Sequence, residues 1–163
     1  MAVPGVLVKD QTRIRLQIIE ARYGGARSDR EPSAEELAAD RARRFCDGFR
    51  RVREGVLIPI LEDIGSALAA SGHGHRVDID VGEKRPSLEW HLLLKNARAG
   101  ATNVIRMFPR RGQDLGWEII AEVQLVRTAI ELTRFQKIDE ITPEVAEQMI
   151  VDAVEQVFAC NAG

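Results

Sequence analysis

The sequence predicts a two-layer α+β domain, in which a four- or five-strand antiparallel meander packs against long N-side and C-terminal helices. Three patterns predict it. An amphipathic run extends from about Ser33 to Ser71, segments of alternating polarity fill the middle of the chain, and a capped amphipathic helix closes it. Two such helices and a half-apolar sheet can bury one another's apolar faces. A chain of 163 residues, 45% apolar, supports one substantial core, and no change in composition marks a second large domain. Residues 1–35 read as an N-terminal arm with a short helix, and residues 36–163 as a single α+β domain.

In the arm, Thr12 to Tyr23 reads as a helix stopped by Gly24-Gly25, or as a short strand with Ile14, Leu16 and Ile18 on one side. The helix is preferred because the glycine pair supplies a stop. Residues 24–32 read as a connection.

Ser33 and Glu36 form an S-x-x-E capping box for the long helix. Phe45, Phe49, Val52, Val56, Ile60 and Ile64 then recur at spacings of three and four, and Leu57, Leu61 and Leu68 widen the stripe. Pro59 has no amide proton and crowds the preceding turn, so a kink or break is expected around Leu57 to Pro59.

After Ser71-Gly72 the period changes to two. Val77, Ile79 and Val81 point one way and Asp78 and Asp80 the other, which describes a half-buried strand. Leu88, Trp90, Leu92 and Leu94 repeat the inward pattern, with Glu89 and His91 opposite. A third strand is expected over 104–108 and a fourth over 117–125, where Ile119, Ala121, Val123 and Leu125 face inward. Residues 128–136 fit a fifth strand or a helix start. Thr142-Pro143 supplies an N-cap and a favourable first helical residue, and Val145, Met149, Ile150, Ala153, Val154, Val157 and Phe158 make the apolar side of the last helix.

Charge is uneven although the net value is only -2. Residues 1–55 carry +3, and residues 112–163 carry -7. Such asymmetry favours association of opposed surfaces. No apolar run approaches the roughly 20 residues of a membrane span, and the N-terminus has no basic segment followed by an apolar one, so a cytoplasmic location away from membranes is expected. Cys46 and Cys160 match no metal or redox spacing and read as unpaired thiols.

Six arginines, at 41, 43, 44, 50, 51 and 53, open the long helix. Arg43 shares a helix azimuth with Arg50, and Arg44 with Arg51, which makes a basic face suited to phosphate or carboxylate groups. Asp47 lies three or four residues from all four and can pair within the helix. Arg110 and Arg111 sit between two predicted strands, where an anion or an acidic partner can be held. These six, Arg43, Arg44, Arg50, Arg51, Arg110 and Arg111, are the predicted partner-binding residues. On the outer sheet face Asp78, Asp80, Glu89 and His91 form a second cluster, which Glu118 and Glu122 can join and Arg106 can neutralise. His73 and His75 read as untethered residues of a turn. The phosphate-loop, nucleophile-elbow and zinc-helix motifs do not occur.

The functional reading is a non-enzymatic protein-interaction or accessory domain that self-associates as a homodimer, its long helix contributing to the interface. No catalytic, cofactor-binding or metal-binding residue is assigned. The alternatives are a small metal-assisted hydrolase or transferase using the sheet carboxylates and His91, and a nucleic-acid-binding module using the helix arginines.

Overall fold

The computed structural model describes residues 4–24, 31–81, 85–97, 101–114 and 116–162. Two compact units are present, Met1–Asp40 and Arg41–Gly163.

The first unit contains α1 (Pro4–Ile19), which closes in a single π-helical turn, Glu20–Gly24. The preferred helical reading of Thr12 to Tyr23 is therefore correct. Ile14, Leu16, Ile18 and Ile19 are all exposed. Ser33 caps α2 (Ala34–Val52), its Oγ accepting from the Glu36 amide at 3.1 Å, which is the donor half of the expected capping box. Most of the expected connection, residues 25–30, lies outside the described residues.

In the second unit α2 continues through a π-helical turn, Arg53–Leu57, into α3 (Ile58–Ala69). The Ile58 amide bonds to the Arg53 carbonyl, five residues back. This widened turn is the irregularity expected near Pro59, placed in the turn whose carbonyls the proline ring crowds. It also resets the buried line. Phe49, Arg53, Leu57, Leu61 and Gly65 are all buried at a constant spacing of four. Four residues overshoot one α-helical turn by about 40°, so such a line would drift around a regular helix. One extra residue in the turn absorbs part of that drift and keeps both helices facing the sheet.

The sheet is a five-stranded antiparallel meander in the order β1 (Gly74–Ile79), β2 (Leu88–Leu93), β3 (Val104–Arg111), β4 (Trp117–Gln124), β5 (Ala129–Phe135). The ambiguous segment 128–136 is thus a strand, paired with β4 through a register shift at Ala121/Glu122. A short 3₁₀ turn, Ile138–Glu140, leads to α4 (Pro143–Asn161), whose N-cap Thr142 accepts from the Val145 amide at 3.2 Å.

The core lies between the helices and one sheet face. Phe49, Leu57 and Leu61 from the long helix meet Trp90, Ile105, Ile119 and Val123 from the sheet, and Ala146, Ile150, Ala153 and Val157 from α4 complete it. At roughly 25 cal/mol per Å² of apolar area removed from water, this layer contact is the main stabilising contribution to the unit. Two expected inward residues, Ile79 and Val81, are instead exposed: Ile79 is the last residue of the edge strand β1, and Val81 follows the left-handed Asp80.

Candidate functional site

The outer face of the sheet, opposite the helices, carries a lattice of charge built by strand register. Asp78 stands directly across from Glu89, Arg76 from His91, Glu89 from Arg106, and Arg106 from Glu122. His91 Nε2 lies 3.3 Å from Asp78 Oδ2 and 3.2 Å from Glu89 Oε2. Arg76 Nε approaches the same Asp78 oxygen at 3.0 Å. Arg106 Nε reaches Glu89 Oε1 at 3.2 Å and its Nη1 lies 3.6 Å from Glu122. That Nε is buried, yet it is not aligned to donate to Glu89 or to any other described acceptor. Further along the face, the nearly buried Glu118 is held between Arg110 at 3.2 Å and Arg134 at 3.5 Å. Period-two alternation makes Asp78, Glu89, His91, Arg106, Glu118 and Glu122 legible as one face.

Asp80 does not belong to it. Its φ of +54° places it in the left-handed region, where a short polar side chain that hydrogen-bonds locally is tolerated. The carboxylate thereby reaches Arg53, which is only 4% exposed, with Nη1 donating to Asp80 Oδ1 at 2.8 Å and to the Ser87 carbonyl at 3.1 Å. The Ser87 amide donates to the same Asp80 oxygen, and Ser87 Oγ accepts from the Val81 amide. Burial opposes ionisation of Asp80. The Arg53 hydrogen bond, the Ser87 amide and the charges of Arg53 and Arg50 outweigh it, holding the carboxyl below its ordinary value. Asp80 is therefore a clamp between the widened helical turn and the β1–β2 connection.

The arginines divide in the same way. Arg50 pairs with Asp47 at 2.7 Å, so the intrahelical neutralisation expected at the centre of the helix face is present. Arg43 and Arg44 also have interaction partners, and Arg51 is exposed. Arg110 comes together with Arg85, Arg106, Ser87 and Phe108 around a cavity of about 350 Å³. Arg111 lies at the end of β3, exposed and opposite Trp117. Arg85 is laid over the Trp117 ring, 4.8 Å from its centroid, and Arg106 lies 5.6 Å from the Phe108 centroid. Phe45 packs on Trp117 with a 6.1 Å centroid separation. Cys46 is next to this corner. Burial pushes its thiol above the ordinary value, and the charges of Arg50 and Arg85 oppose that shift only in part, which disfavours the thiolate.

Both turn histidines are tethered, contrary to the reading from sequence. The Trp90 indole N–H donates to His75 Nδ1 at 3.1 Å, which places the proton of the neutral His75 ring on Nε2. His73 Nδ1 accepts from the Lys95 amide, and its ring meets Phe158 edge-on at 5.1 Å. The cause is long-range: the β1–β2 pairing brings Trp90 to Val77 and Leu92 to His75, contacts that local sequence does not carry.

A third surface runs along one of the two sheet edges, that of β5. Leu132, Val145 and Met149, together with the polar Thr133, Gln148, Asp152 and Gln156, line a groove of about 360 Å³ between β5 and α4. Of its lining residues Val145 is exposed, and Ile130 of β5 is exposed as well. Among the described residues from Arg41 to Ala69, no large hydrophobic side chain is exposed, so the apolar stripe of the long helix is taken up by the core.

No family model matches the chain, and neither a curated protein nor a solved structure matches it. No helix among the described residues is long and apolar enough to cross a membrane.

Proposed function

We propose that the protein is a non-enzymatic interaction domain that self-associates, with the edge formed by β5 and α4 as the contact between copies. The observation that carries this reading is the free β5 edge beside a groove of mixed polarity that includes Leu132, Val145 and Met149. An edge strand presents unpaired amide and carbonyl groups, and an antiparallel partner of the same sequence satisfies them by twofold symmetry. The side chains flanking that edge, Ile130 and Val145, are exposed and aliphatic, so pairing would also remove apolar surface from water. Exposed Ile14, Leu16, Ile18 and Ile19 on α1 add a further apolar surface available to a partner. The long helix, whose apolar side is already buried, contributes through its charged face instead.

Light scattering on the purified full chain tests the proposal. The expected mass is twice the 18.2 kDa of one chain, and Ile130→Lys, which puts a charge on the edge, returns it to the single-chain mass. A single-chain mass for the unmodified protein at every accessible concentration would sink the reading.

A second reading has its own observation. The cavity bounded by Arg85, Arg106 and Arg110 offers guanidinium groups with an aromatic wall, and among the described residues Arg85 and Arg111 meet no carboxylate. That chemistry suits an acidic peptide segment, with bidentate contacts to carboxylates. Asp47 and Glu118 already neutralise Arg50 and Arg110, which favours a discrete acidic ligand over a long nucleic-acid backbone.

A further inference from the structure

We infer that Asp78, Glu89 and His91 form a binding site for one divalent transition-metal ion, of the zinc or manganese class, on the outer face of the β1–β2 pair. One donor atom from each residue, Asp78 Oδ2, Glu89 Oε2 and His91 Nε2, lies within 4.8 Å of the other two. Two carboxylates and an imidazole are a donor set for such ions, and three protein ligands leave coordination positions open to water or a ligand.

Two of the three donor separations, those from His91 to each carboxylate, support the assignment. For metal–donor distances near 2.0–2.2 Å, two ligands at right or tetrahedral angles are about 3.0–3.5 Å apart. His91 Nε2 already stands 3.3 Å from Asp78 Oδ2 and 3.2 Å from Glu89 Oε2. The strand backbone holds this arrangement: Asp78 and Glu89 are direct cross-strand partners, and His91 follows Glu89 by two residues on the same face. None of the three side chains is more than about a third exposed, so little rotamer freedom is lost on binding.

The surrounding arginines fit the same role. Arg106 approaches Glu89 at Oε1 without an aligned hydrogen bond, which leaves Oε2 to face His91. Arg76 is the competitor, because its Nε lies 3.0 Å from Asp78 Oδ2 itself. It is 61% exposed, and an exposed ion pair contributes little, so a dication displaces it at small cost. The alternative zinc donors in the chain, His73 and His75, are occupied by Lys95 and Trp90 through their Nδ1 atoms.

Calorimetric titration of the full chain with Zn²⁺ alone, and with Mn²⁺ alone, tests the inference. The expected result is saturable binding of one ion per chain. Asp78→Asn and His91→Gln each weaken it by at least about tenfold, the smaller end of what even outer-shell changes cause, while His73→Ala leaves it unchanged. Both site variants retain hydrogen-bonding side chains, and circular dichroism is the check that they are folded. Absence of saturable binding up to about 1 mM of either ion, where an interaction is worth only about 4 kcal/mol, would overturn the inference. So would unchanged affinity in both folded site variants, or loss of the site on His73→Ala.

Discussion

Asp80 and Arg53 are joined across 27 positions of chain, and neither residue type announces it. Alternation assigns Asp80 to the outer face with Asp78, and an arginine in a run of six reads as surface. What local sequence lacks is the left-handed backbone at Asp80 and the widened helical turn that aims Arg53 inward. The clamp makes a pH prediction. A carboxyl depressed below its unfolded value adds stability that is fully present above that value, 3.8, and is lost as pH falls through the lower folded value. Asp80→Asn keeps a side chain that tolerates the left-handed region but removes the charge. Thermal melts should show the variant less stable at neutral pH, with the gap shrinking below pH 3.8; an equal gap at both pH values would refute the charge argument. Gly65 is a second residue whose meaning comes from a distant partner. A Cβ there would stand 2.4 Å from the His75 ring, which its bond to Trp90 holds in place. Gly65→Ala should therefore destabilise the protein by about 1–3 kcal/mol, as overpacking does, although alanine is the better helix former. Gly55→Ala, where nothing lies within 4 Å, should instead add up to about 1 kcal/mol. Denaturant unfolding of the two variants measures both signs.

At the level of elements, the parts with a strong local signal are the parts the sequence announces. Thr142-Pro143 marks the start of α4 because the cap and the fixed proline φ are local facts, and the alternation from Trp117 to Leu125 defines β4 because both faces are patterned over several residues. The outer-face cluster follows from the same alternation, which is why Asp78, Glu89, His91 and Arg106 were legible together while Asp80 was not. Beyond Pro59, which signals an irregularity without its form, the widened turn has no such signature. Its buried line passes through a charged residue and a glycine, which hydropathy periodicity discounts. The fifth strand was ambiguous because AIELTRF lies at a sheet edge, where one side of the ladder and much of the side-chain surface remain in solvent. That ambiguity has a functional counterpart: an edge strand is weakly specified by its own sequence and open to pairing with another chain. A lysine at Ile130 should block such pairing while leaving the β4–β5 ladder intact, so mass should fall and the circular dichroism spectrum should not change.

For the whole molecule, charge and apolar surface are segregated by layer. Aliphatic side chains from α2, α3 and α4 close the core against one face of the sheet, the other face carries paired charges, and exposed aliphatic residues remain at both the β1 and the β5 edges. The six arginines that open the long helix do not act as one basic stripe: Arg50 is neutralised by Asp47, Arg53 is buried in the clamp, and Arg51 stays exposed. Both edge strands, β1 and β5, leave backbone groups and aliphatic side chains in solvent, and self-association at the β5 edge, where the groove against α4 adjoins it, is the central claim. Hydrogen exchange across Ala129–Phe135, measured in dilute and in concentrated protein, tests it most directly. Pairing of copies predicts that the outward-facing β5 amides exchange more slowly as concentration rises, while those bonded to β4 do not change. Exchange at these outward amides that is fast and independent of concentration would contradict it.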